Sequence, residues 1–226
     1  MGQALIRLSA ETGECEVVAA VTRSAPAQRV VGGIPFFAAS ELGGVPPFDV
    51  AIDFSLPQGF DQILAICKAR GAGLVSGTTG LDDAQLDSLQ LAGERIPLLW
   101  ASNFSLGVAV LAELVERAAV ALPGWDCDIV ESHHTRKKDS PSGTALTLGE
   151  AAGRAGATVN YASLRAGDIV GEHTVQFTGT GERLELIHRA GNRDIFARGA
   201  LAAAIRLAGR APGSYGLRGL LFGTGS

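Results

Sequence analysis

The chain has 226 residues, 46% of them apolar, 19% charged and only 6% aromatic, with a formal net charge of −4. This is an ordinary globular composition, long enough for one large or two modest cores. It argues against a nucleic-acid partner, which needs a broad basic face. It also argues against a membrane protein, because the best apolar stretch, Leu106–Leu122, carries Glu113, Glu116 and Arg117.

In chain order, Met1–Ala10 lacks the charged-then-apolar order of a secretion signal. Three scattered cysteines, Cys15, Cys67 and Cys127, fit buried, reduced thiols of a cytoplasmic protein. Glu16–Val21, Val50–Phe54, Gly73–Ser76 and Pro97–Ala101 are short apolar runs that predict buried parallel strands. Between them Gly59–Arg70 and Asp82–Ala92 show helical spacing, with acid at the start of the second. Such βα alternation predicts an α/β, doubly wound, Rossmann-like parallel sheet. Ligands of these sheets sit beyond the carboxyl ends of the strands. There the chain places Thr22-Arg23, Asp53-Phe54-Ser55, Gly77-Thr78-Thr79-Gly80 and Ser102-Asn103-Phe104.

Leu106–Leu122 predicts a longer helix, ended by Pro123-Gly124. Asp126–Ser132 predicts a strand and Thr144–Ala155 a helix, followed by a short connection to Ser163. From Ser163 to Arg198 the pattern alternates, with His173, Val175 and Phe177 on one strand face and Leu184, Leu186 and His188 on the next. A mostly antiparallel sheet of an α+β domain is expected, and Gly199–Ala208 is helical again. His173 and His188 are expected to serve the sheet, and Trp100 and Trp125 to pack.

Between the strand and the helix lies E-S-H-H-T-R-K-K-D-S-P-S-G-T-A, Glu131 to Ala145. It joins His133 and His134, the cations Arg136, Lys137 and Lys138, and Asp139 to a Ser-Gly-Thr helix start. A histidine exchanges protons near neutrality. The first-turn amides of a helix, approached across Gly143, receive an anion. The spacing suits a dicarboxylate, although a solvated basic turn before a capped helix has the same look. A metal is disfavoured, since adjacent histidines on an extended segment diverge and three cations stand close by.

This run resembles the E-[AS]-H-H-x-x-K-x-D-[AS]-P-S-G-T-A motif of the dihydrodipicolinate reductase family. Asp53-Phe54-Ser55, Gly77–Gly80, Ser102–Ser105 and Arg165–Thr174 match that family in the same order. The resemblance implies a hydride donor, NADPH or NADH, and a cyclic dicarboxylate substrate on the route to diaminopimelate and lysine. It implies His133 and Lys137 as catalytic acids, and His134, Lys137, Gly143 and Thr144 as holders of the substrate carboxylates. Gly77, Thr78, Thr79, Ala101, Ser102, Asn103 and Phe104 would line the cofactor pocket. Arg23, where an acidic residue would favour NAD, would meet the extra phosphate of NADP. The implied layout is a nucleotide-binding domain over residues 1–104, rejoined by 212–226, and a substrate-binding and oligomerisation domain over 105–211, assembled as a homotetramer.

The chain departs from the pattern at its start. Met1–Ile6 resembles the end of the family's glycine turn and the helix after it, so the first strand and most pyrophosphate-binding glycines are expected to be missing. A start placed at an internal methionine is the preferred explanation. A truncated, non-catalytic paralogue is the alternative. Weak cofactor binding and marginal folding of the chain as written are expected on either account.

Overall fold

The computed structural model describes residues 1–223, arranged as two compact units. One comprises Met1–Phe104 with the described residues from Phe196 onward; the other is Ser105–Ile195.

The first unit opens with α1 (Gly2–Thr12), which buries Leu5 and Leu8 and stops at Gly13 in the left-handed conformation, φ 66°. Strand β1 (Ala20–Thr22) lies parallel to β3 (Ile34–Ala38), and β2 (Val30–Val31) is antiparallel to β3. The β2–β3 hairpin was not anticipated. It closes through Gly32 and Gly33, both at positive φ as a two-residue hairpin loop requires. The strand expected over Glu16–Val21 covers only Ala20–Thr22, because β3 offers partners to those three residues alone.

A second sheet follows. β4 (Val50–Asp53), β5 (Gly73–Ser76) and β6 (Pro97–Trp100) run parallel, linked by α2 (Pro57–Arg70) and α3 (Asp83–Ala92). All four β5 residues are buried, as a central strand covered on both faces demands. Phe60, Leu64 and Cys67 of α2 pack with Leu74, Leu89 and Leu98 into one core. In the doubly wound order the first strand lies between the two halves of the sheet. Here β1 and β4 each end their own sheet, and no strand among the described residues joins them.

The second unit starts with α4 (Leu106–Ala121), capped by Ser105, whose hydroxyl accepts from Val108 N. β7 (Asp126–His133), α5 (Gly143–Arg154), β8 (Val159–Arg165), β9 (Gly171–Gly179) and β10 (Glu182–Ala190) complete it. The sheet order is β10-β9-β7-β8, with only the β7–β8 pair parallel. The stretch after Ala155 thus holds a strand beginning at Val159 rather than a bare connection to Ser163. Its alternating burial is faint because an edge strand keeps much of its surface in solvent.

Side chains alternate along β7, so Cys127, Ile129, Glu131 and His133 share the face covered by the helices. Cys127, Ile129, Val175 and Phe177 pack there against Leu111, Val115, Leu148 and Ala152. The same face turns polar toward the carboxyl end of β7, at Glu131, His133 and His173.

The chain then returns to the first unit through α6 (Asp194–Leu207), β11 (Gly213–Ser214), which pairs parallel with β6, and α7 (Leu217–Phe222). The helix expected from Gly199 begins five residues earlier, and Asp194, not a strand residue, supplies acid to its first turn. Gly199 is required, since a Cβ there would collide with the Phe104 carbonyl. Of the 212–226 segment expected to rejoin the first domain, 224–226 lie outside the described residues.

Candidate active site

Register on the second sheet assembles a buried ionic cluster. Glu131 lies opposite His173 on β9 and Ser163 on β8, and His133 lies opposite Arg165. Glu131 is fully buried, which strongly disfavours a carboxylate unless its charge is met. Arg165 meets it with a fork: Nη1 donates to Oε2 at 2.9 Å and Nη2 to Oε1 at 2.7 Å. Ser142 N donates to Oε1 at 3.2 Å, and His133 Nδ1 hydrogen-bonds Oε2. Burial by itself would raise the Glu131 carboxyl, but hydrogen bonds from Arg165, Ser163 and His133 outweigh it and hold the pKa down to about 2.

His133 is 8% exposed. Burial lowers its pKa below the ordinary 6.5; the Glu131 carboxylate opposes this, while Lys137 and Arg165 add to it. The edge of its ring meets His173 at 5.2 Å between centroids. His173, predicted to serve the sheet, is pushed down to about 4, chiefly by burial and then by the neighbouring His133. Its Nε2 lies 3.0 Å from Ser142 Oγ, which itself accepts from Ala145 N as the N-cap of α5. His188 makes a similar contact with the α4 cap, Nε2 to Ser105 Oγ at 3.3 Å.

The loop after β7 is pinned by the β8–β9 turn: Ala166 N donates to His133 O at 2.9 Å and Thr135 N to Gly167 O at 3.3 Å. A local turn, Lys137 N to His134 O at 3.1 Å, folds Lys137 back toward the strand end. Its ammonium is largely covered and pairs with Asp139 at 2.8 Å. That pairing lowers the pKa of the Asp139 carboxyl, mainly through the hydrogen bond from Lys137. His134 is half-buried, and its Nδ1 finds no hydrogen-bond partner among the described residues. Arg165 Nη2 also donates to Asp139 O at 2.6 Å, tying this loop to Glu131. The Ser140–Pro141 peptide bond is cis. Gly143 and Thr144 then open α5; Gly143 is exposed, and a Cβ built on it meets nothing within 4 Å. His133, His134, Lys137, Gly143 and Thr144 thus belong to one connected structure.

The cofactor-side residues lie in the first unit. Gly77–Thr79 follow β5, and Ala101–Phe104 follow β6. Register aligns the ends of β4, β5 and β6 at Asp53, Ser76 and Trp100, the place where such sheets take ligands. Asp53 is buried and organises this edge. It accepts from Ser76 Oγ at 2.8 Å, Thr78 Oγ1 at 2.7 Å and Ser55 N at 2.9 Å. The Thr78 hydroxyl is therefore engaged inward, so what the loop presents outward is backbone and the exposed Thr79. Gly77 must lack a side chain, because a Cβ would collide with the Phe54 ring. Phe104 is buried edge-on to Phe54, Ser102 is exposed, and Trp100 donates to Thr78 O at 2.8 Å. Arg23 is exposed just after β1.

Two residues escaped the sequence reading as site components, Glu131 and Arg165, while the sequence places Asp53 at a strand end without its organising role. Arg165 opens the Arg165–Thr174 motif, and pairing β8 with β7 would have placed it beside His133.

A unit with loops after the ends of parallel strands, together with a unit bearing a cationic, histidine-containing loop before a helix start, has the make-up of a two-part pyridine-nucleotide oxidoreductase. Residues 1–104 match the family description "Dihydrodipicolinate reductase, N-terminus" and residues 107–221 match "Dihydrodipicolinate reductase, C-terminus". The chain belongs to the dihydrodipicolinate reductase family. It is 74% identical over 222 residues to a 4-hydroxy-tetrahydrodipicolinate reductase of Stenotrophomonas maltophilia (strain K279a), covering 98% of this chain and 93% of that one. It is 63% identical over 221 residues to the Xylella fastidiosa (strain M23) protein of that name, covering 98% and 94%. A solved dipicolinate-bound dihydrodipicolinate reductase from Paenisporosarcina sp. TG-14 shares the fold, with a TM-score of 0.79 at 22% identity over 95% of this chain and 92% of that one.

Proposed function

We propose that this chain is an NAD(P)H-dependent oxidoreductase that reduces 4-hydroxy-tetrahydrodipicolinate to tetrahydrodipicolinate, with loss of water, in diaminopimelate and lysine biosynthesis. The observation that carries this is the folded Glu131–Ala145 loop, in which a buried histidine, a largely covered lysine and an open helix start converge beside one ion-paired strand end. The first unit is the nucleotide half, and the second is the substrate and oligomerisation half. One substrate carboxylate lies on the first-turn amides of α5 at Gly143 and Thr144, and the other faces His134 and Lys137. Gly77–Thr79 and Ala101–Phe104 would hold the nicotinamide, which would supply the hydride when bound. Reduction leaves negative charge on the ring system, which Lys137 stabilises and His133 or Lys137 protonates.

Arg23 would meet the 2′-phosphate of NADPH, and on this reading NADPH would be used at least as well as NADH. The outer face of the β10-β9-β7-β8 sheet exposes Leu164 and Ile187, and this is where copies pair in a homotetramer. No helix of the described residues is long and apolar enough to cross a membrane; we place the enzyme in the cytoplasm. The test follows loss of nicotinamide absorbance with freshly formed 4-hydroxy-tetrahydrodipicolinate. Turnover that His133→Gln reduces by at least about a hundredfold is expected from loss of a general acid. Full activity in that variant would remove His133 from the mechanism.

A further inference from the structure

The buried carboxylate beneath His133 is the part of the cluster that this mechanism leaves without a task. Donors from three elements meet the Glu131 carboxylate: Arg165 and Ser163 from β8, Ser142 from the start of α5 and His133 from β7 itself. Such a carboxylate cannot rotate away. Ionised at neutral pH, it is an acceptor only, so the ring nitrogen facing it must carry a proton. That nitrogen is Nδ1. Nε2 then remains on the far side of the ring, lying over Gly171, where an added Cβ would come within 3.0 Å of it. Other charged or titratable groups facing the ring are His173 from β9 and Lys137 from the following loop.

We propose that Glu131 and Arg165 act as a pair of positioning residues: the carboxylate, fixed by the guanidinium fork, holds His133 in the Nδ1–H tautomer, so that Nε2 alone exchanges the proton with substrate. This rests on the reading of His133 as an acid. In the step, the Nε2–H bond of the imidazolium breaks, its electron pair stays on nitrogen, and the proton bonds to the reduced ring. The two positioning charges act in opposite senses on the imidazolium. Glu131 favours it, and Arg165 opposes it more weakly. A residue that merely supported the fold would have no such signed effect.

The experiment combines imidazole nitrogen NMR with pH–rate profiles on the full chain, whose four histidines make assignment practical. In the unsubstituted protein the neutral His133 ring is expected as the Nδ1–H tautomer; finding Nε2–H overturns the proposal without any variant. Glu131→Gln is expected to give mixed tautomers and a kcat at least about tenfold lower, with KM within about threefold, as for loss of an oriented acid. Its pH–rate limb for His133 should move to lower pH. Arg165→Gln should move the same limb to higher pH, and Arg165→Lys, which keeps the charge but not the fork, should move it less. Unshifted limbs in Glu131→Gln and Arg165→Gln overturn the proposal. If His133→Gln keeps wild-type kcat, the acid reading fails by itself, and the tautomer spectra still decide whether the clamp exists.

Discussion

Gly143→Ala separates a ligand site from a capped turn. Gly143 is the first residue of α5 and exposed, and a Cβ built there meets no atom within 4 Å. The fold therefore tolerates alanine, and the backbone entropy saved in the unfolded chain favours it by up to about 1 kcal/mol. For a chain of this size that is a rise in Tm of up to roughly 4 °C. A bound carboxylate responds differently. The methyl group occupies the space from which an anion reaches the first-turn amides, and a hydrogen bond to a charged group contributes about 1.5–3 kcal/mol. Its loss raises KM for 4-hydroxy-tetrahydrodipicolinate by roughly 10- to 150-fold, with kcat less affected because the contact exists before and during the reaction. Gly153 supplies the control. It lies in the same helix, is exposed and has equal room for a Cβ, so Gly153→Ala should raise Tm comparably and leave KM alone. Steady-state kinetics and thermal melts on both variants decide it. If Gly143→Ala changes KM no more than Gly153→Ala does, the substrate does not approach α5 at its start.

Acidification tests the buried histidines. His173 titrates at about 4 in the fold but near 6.5 unfolded, so between those values the unfolded chain binds a proton that the fold refuses. Stability should fall as pH drops from about 6.5 to 4, by roughly 3 kcal/mol from this residue, with Glu131 continuing the loss from about 4.5 toward 2; melts of His173→Gln that slope as steeply as the parent would contradict this. Arg23→Ala should raise KM for NADPH roughly tenfold or more by removing a charged phosphate contact and leave NADH within about twofold; equal effects on both cofactors would remove Arg23 from the phosphate site. Asp53→Ala strands the donor Ser76 Oγ, leaves Thr78 Oγ1 with only its 3.3 Å contact to Ser55 O, and should cost about 2–4 kcal/mol of stability, read in denaturant melts, whereas Asp53→Asn should cost less. Amide exchange should be slowest in β5, bonded on both sides, and faster by at least about a hundredfold in β1, which has one bonded neighbour; equal protection would mean that the edge of β1 is covered.

The elements legible in the sequence share a physical trait: their signals are local. Gly73–Ser76 is a short, wholly apolar run and folds as a strand with those bounds. Asp82 announces the α3 cap through its own side chain, which accepts from Gln85 N. The His-His-x-x-Lys and Ser-Gly-Thr segments are contiguous, so their chemistry could be read before their geometry. What escaped depended on pairing. β8 shows little alternation because it is an edge strand, and without β8 nothing in the chain says that Arg165 stands beside His133. The Gly32-Gly33 hairpin is different, since its turn signal is as local as those of the legible elements.

The polar end of the second sheet explains why a proton-exchanging site sits on a buried strand face. Alternation along β7 commits Glu131 and His133 to the same side as Cys127 and Ile129, so the strand that anchors the apolar core also buries this carboxylate and this imidazole. An unpaired carboxylate at that depth would be protonated or would destabilise the fold. Arg165 removes that conflict, and it reaches Glu131 because the parallel β7–β8 pairing puts it across from His133. The same guanidinium bonds Asp139 O, and Asp139 pairs with Lys137, so the clamp beneath the histidine also restrains the lysine loop. Packing and chemistry are thus coupled through one residue. A substitution at Arg165 should loosen the Lys137 loop and alter His133 directly, whereas one at Asp139 should act on Lys137 and reach His133 only through it.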